Sequence, residues 1–70
     1  MILKRKSLRR IKEEATREAA KLGHSIGNFY HTQSGDWVAT CGYMDHKTVI
    51  IEPKKDGSYE AWGDALDDKC

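Results

Sequence analysis

The stretch from Trp37 to Glu52 constrains this chain more than any other. Two β-prone runs, Trp37–Cys41 and Thr48–Glu52, flank a turn-like segment, Gly42–Lys47. Alternation along the first run puts Trp37, Ala39 and Cys41 on one face and Val38 and Thr40 on the other. The second run holds the densest β-branched cluster of the sequence, Thr48-Val49-Ile50-Ile51, residues that suit a pleated, half-buried surface. Pro53 then stops it, having no N–H to give to a ladder. This hairpin is expected at the centre of a small sheet, with the rest of the chain covering it.

The preceding residues supply the cover. Ser7 is a good helix N-cap, and Leu8, Ile11, Ala15, Ala19 and Leu22 recur at spacings of three and four, which makes one narrow apolar stripe. Gly23 suits the left-handed position that ends a helix. The spacing predicts a helix over 7–22, preceded by a basic lead over 1–6 in which Ile2 and Leu3 are extended against an edge. Residues 28–32 read as a first strand, joined to the central hairpin by the turn Gln33-Ser34-Gly35-Asp36. The predicted fold is α+β: one N-terminal helix packed on a three-stranded antiparallel meander over 28–52. A closing tail, 53–70, contributes a short strand over 58–62, with Ala61 and Trp62 on opposite faces, or a helical turn around Leu66.

Seventy residues make a single small domain, and one core of this size rarely supplies more than about 3–5 kcal/mol. No apolar run approaches the ~20 residues of a membrane span, and the first residues lack an apolar region of signal-peptide length. A cytoplasmic protein with reduced thiols is the expectation.

The net charge of +1 conceals a polarised distribution. Residues 1–22 carry eight Lys and Arg against three Glu, a net +5, while residues 23–70 carry four Lys against eight acids, a net −4. Lys4, Arg5, Lys6, Arg9, Arg10, Lys12 and Arg17 can all point away from the apolar stripe and form a basic face. Asp36, Asp45, Glu52, Asp56, Glu60 and Asp64, with Asp67 and Asp68, form a candidate acidic face. Such asymmetry suits a directional encounter with a charged partner, or attraction between the two halves of the fold.

Gly23-His24, Phe29, Trp37-Val38-Ala39-Thr40-Cys41, Val49-Ile50-Ile51, Gly63-Asp64-Ala65 and Cys70 resemble, in order and spacing, a group of small phage and bacterial zinc-ribbon-like proteins. Their pattern is Gly-His, then Trp-x-Ala-x-Cys-x-x-Cys, then Gly-x-Ala and a final Cys. The resemblance implies a ligand set of one His and three Cys, of which His24, Cys41 and Cys70 remain, while Met44 stands where the second Cys belongs. A thioether is a poor zinc ligand and a structural zinc wants four thiolates or imidazoles. No bound metal and no cofactor are therefore expected, with His46 the one available substitute ligand. Cys41 then reads as a small core hydrophobe, Met44 as a gap filler and His24 as a cap on the helix C-terminus.

His24, His31 and His46 form no Cys–His or Ser–His pairing with a local catalytic signature, and a domain this small has little room for a substrate pocket. The chain is expected to be no enzyme. It reads as a protein-binding module whose acidic face docks on a larger host protein, for example as a phage-encoded inhibitor of a defence or nucleic-acid-processing complex. The alternative is a small nucleic-acid-binding accessory that uses the basic helix, with Tyr30, Trp37, Tyr43 and Trp62 as stacking surfaces.

Overall fold

The computed structural model describes residues 2–41 and 47–69. One helix lies on a five-stranded antiparallel sheet, so the α+β class holds. The helix α1 spans Leu8–Lys21. It opens on Ser7, whose hydroxyl accepts from the Arg10 N–H at 3.4 Å and whose carbonyl takes the first helical bond from Ile11. It closes in a Schellman motif around Gly23 at φ +90°. The Gly23 and His24 N–H groups donate to the Ala20 and Ala19 carbonyls, each at 3.0 Å. The predicted helix limits agree once Ser7 and Leu22 are counted as the caps.

The strands are β1 (Leu3–Lys6), β2 (Tyr30–His31), β3 (Trp37–Cys41), β4 (Lys47–Pro53) and β5 (Tyr59–Trp62), in the spatial order β1-β5-β4-β3-β2. This corrects the three-stranded meander. The basic lead is a full edge strand, with Leu3 opposite Ala61, and β5 lies inside the sheet between β1 and β4 rather than closing its edge. The reason is pairing: without β1 the outer side of β5 would leave a row of open backbone groups, and Leu3 would have no core to enter. Consecutive cations are suited to an edge, which is why this segment does not look like a strand by composition. The first predicted strand shortens from 28–32 to Tyr30–His31. Thr32 already belongs to the turn, donating from its N–H to the Asp36 carbonyl at 2.8 Å.

Strand alternation sorts the sheet into an inner and an outer face. Cys41, Val49, Ile51, Ala61 and Leu3 are buried on the inner face in one cluster with Ile11, Ala15 and Ala19 of α1, and Ala39 is buried on the same face. Alanines on both layers let helix and sheet approach closely. Leu8 is only half-buried, at the margin of that contact. Trp37 closes the opposite corner, its ring stacked on His31 with centroids 4.4 Å apart and capped by the Lys12 ammonium 3.8 Å from its centroid.

The tail returns under the sheet as a 3-10 turn, Asp64–Leu66, which buries Leu66 as the sequence suggests and Ala65 beside it. Gly63 makes this possible. Its φ is +136°, and a Cβ there would come within 2.2 Å of the Thr48 carbonyl oxygen. His24 anchors the far end: it is buried, and its Nε2–H donates to the Asp68 carbonyl at 2.5 Å. The imidazole thus reaches the tail, while the backbone N–H does the capping that the sequence assigns to the residue.

Candidate functional site

The inner face of the sheet is covered by α1, and the outer face is not. Pairing of Tyr30 with Val38, Val38 with Ile50, and Ile50 with Trp62 sets these four side chains in one row across β2, β3, β4 and β5. The Leu3–Ala61 pair extends the row to Ile2, which lines a cleft with Ile50 and Trp62. Tyr30 is 57% exposed, Trp62 39% and Ile2 56%, and these are the exposed large hydrophobics among the described residues. All three stand on this row. The row is therefore a contiguous apolar strip on the uncovered face of the sheet.

An acidic rank borders the row. Glu52 stands directly opposite Glu60 on neighbouring strands. Two like charges so placed repel, and Lys54 relieves them by reaching Glu60 at 3.5 Å and Glu52 at 3.8 Å. The Trp62 indole N–H donates to the Glu52 carboxylate across the same ladder, so the ring is held against the rank. Asp36 ends the rank at the β2–β3 turn, where Ser34 donates to its carboxylate at 3.3 Å. Beyond the row on the other side, Asp64, Asp67 and Asp68 rim the Ile2–Trp62 cleft. Asp64 also accepts the Thr48 N–H at 2.7 Å, and Asp68 lies 3.7 Å from Lys47.

The remaining expected site residues fall elsewhere. Asp56 shapes the β4–β5 turn, its carboxylate accepting from the Ser58 N–H and hydroxyl at 3.0 and 2.6 Å. Asp45 lies outside the described residues. On the opposite layer Arg9, Arg10 and Arg17 are exposed along α1, whereas Lys4 is exposed on β1, the edge strand of the sheet itself, to which Arg5 and Lys6 also belong. The helix surface is not uniformly basic: Arg9 pairs with Glu13 at 3.6 Å, and Arg10, Glu13, Glu14 and Arg17 share one shallow depression. Trp37 is enclosed between Lys12 and His31 and offers no free ring face to a base. Tyr43 is outside the described residues.

Of the suggested metal ligands, His24 spends Nε2 on the Asp68 carbonyl and Cys41 is buried in the core. Met44, His46 and Cys70 lie outside the described residues, and among those described no group of His, Cys, Asp or Glu could hold a metal ion. No helix in the described residues is long and apolar enough to cross a membrane. No protein-family model matches the chain, and neither do curated proteins or solved structures.

The apolar row is what sequence reasoning missed. Alternation separates Val38 from Trp37 and Ala39, and Trp62 from Ala61, which supplies half the signal. The other half is cross-strand register, which aligns four strands and is not written in any one of them.

Proposed function

We propose that this chain is a non-enzymatic protein-binding module that docks through the outer face of its sheet onto a basic protein surface. The observation that supports this is the apolar row Tyr30–Val38–Ile50–Trp62–Ile2 bordered by Glu52 and Glu60. Apolar contact supplies the affinity, and the acids select a positive partner and speed encounter. A groove that normally holds nucleic acid is such a surface, in a host defence or nucleic-acid-processing complex that this protein would inhibit by occupation.

Binding of nucleic acid is the less favoured reading, because the parts it needs lie apart. The exposed aromatic rings, Tyr30 and Trp62, share the sheet face with carboxylates, whereas Arg9, Arg10 and Arg17 lie on the helix layer. A strand stacked on the rings would run its phosphates past Glu52 and Glu60.

The test places a photoreactive side chain at Tyr30 or at Arg17 in cells of the native host. A discrete protein adduct from position 30 and none from 17 is the expected result; nucleic acid captured at position 17 would reverse the assignment. With the captured partner in hand, Glu60→Lys should slow association, while Arg9→Gln with Arg10→Gln should leave it nearly unchanged. Affinity for a short duplex should stay within the non-specific ~10⁻⁴–10⁻⁶ M at physiological salt.

A further inference from the structure

The shape of the docking face narrows what it can hold, and from it we infer that its occupant is an amphipathic α-helix with basic flanks, laid along the row and across the strands. This rests on the outer sheet face being the docking surface. Neighbouring strands lie ~4.8 Å apart, so the row crosses five strands in ~19 Å. A helix brings side chains back to one face every three or four residues, an advance of ~5.4 Å per turn, and therefore sets successive apolar residues over successive strands. An extended peptide repeats its face every ~6.7 Å and falls out of step with the row after about two strands. About 13 residues of helix cover the whole row at ~1.5 Å per residue.

Charge fixes the flanks. Along one side the helix passes the rank of Glu52 and Glu60, with Asp36 at its end. On the other side it meets carboxylates only near Trp62, where Asp64, Asp67 and Asp68 rim the cleft. Along the rank three carboxylates, Asp36, Glu52 and Glu60, stand against Lys54, so Lys or Arg is favoured along one edge of the helix and at one end of the other. A sheet with a helix on one face and an apolar strip on the other lacks one layer, and the partner's helix supplies it.

The experiment titrates the full chain with helical peptides of about 16 residues that carry a leucine stripe and lysine flanks, beside isomers of identical composition with the stripe scrambled. Backbone amide shifts locate binding, and circular dichroism reads helix formation. The stripe peptides should gain helix on binding, shift Tyr30, Val38, Ile50 and Trp62, and bind at least about tenfold more weakly to Ile50→Lys and to Trp62→Ala. Each variant's own fold is checked by its unperturbed α1 amides. Equal binding by the scrambled isomers on the same residues overturns the helical occupant and leaves the docking face standing. Shifts confined to α1, or none with any peptide at millimolar concentration, overturn both. A concentration-dependent dimer without peptide, abolished by Ile50→Lys, assigns the face to a second copy and also overturns the inference.

Discussion

Trp62 and Glu52 meet diagonally across the β4–β5 ladder, the indole N–H donating to a carboxylate that Lys54 also approaches. The pair connects the apolar row to the acidic rank. A double-mutant cycle with Glu52→Ala and Trp62→Phe should give a coupling of about 0.5–1.5 kcal/mol in denaturant melts, the size of a partly exposed hydrogen bond. A coupling indistinguishable from zero would mean that the ring is not held in place. Glu52→Ala alone should cost less than the coupling, because it also removes the repulsion from Glu60.

Ile11 is fully buried between α1 and the sheet. Ile11→Ala should destabilise the fold by about 2–5 kcal/mol, a large share of what a domain of this size has. Leu8→Ala should cost clearly less, since Leu8 is only half-buried. Equal losses at the two positions would place the helix in a different rotation about its axis.

Gly63→Ala should destabilise by at least about 1–3 kcal/mol, since the new methyl meets the Thr48 backbone and φ +136° disfavours any L side chain. Gly57→Ala is the control. It shares a positive φ, at +88°, but its methyl would meet open space, so its loss should be the smaller of the two. Thermal melts of both variants decide the matter.

Zinc should leave the melting temperature unchanged, and protein prepared without chelator should carry well under one zinc per chain. The reasoning combines Met44 in place of a thiolate with a His24 ring already bonded to the Asp68 carbonyl. Stoichiometric zinc, removed by chelator with unfolding, would show that His46 completes a site.

What the sequence made legible was local. The helical stripe, the Ser7 and Gly23 caps and the Trp37–Cys41 alternation each depend on neighbours within a few residues. The caps and the alternation are found as expected. The stripe is buried at Ile11, Ala15 and Ala19 but only half-buried at its ends, Leu8 and Leu22, of which Leu8 was expected in the core. β1 was legible only as an extended lead with Ile2 and Leu3 against an edge; its length and its partner were not, because Leu3-Lys4-Arg5-Lys6 has no alternation of its own and becomes a strand by pairing with β5. The acidic face shows the same division. Glu52 and Glu60 come together through strand pairing, whereas Asp56 turns to the backbone beside it, as short acids in loops do. The row from Tyr30 to Ile2 required every register of the sheet at once.

Leu3 pairs with Ala61, so the first strand of this chain can be seated only after the last has been made. During synthesis on the ribosome, α1 and the β3–β4 hairpin emerge with their apolar sides partly uncovered. The N-terminal segment must wait until β5 clears the exit tunnel, at roughly 5–20 residues per second. For those seconds Ile2 and Leu3 are free to engage a chaperone or another nascent chain. A fusion or extension placed before Ile2 therefore acts on the final step of assembly, and its effect should appear as a slower closing phase in refolding rather than as a change in the helix.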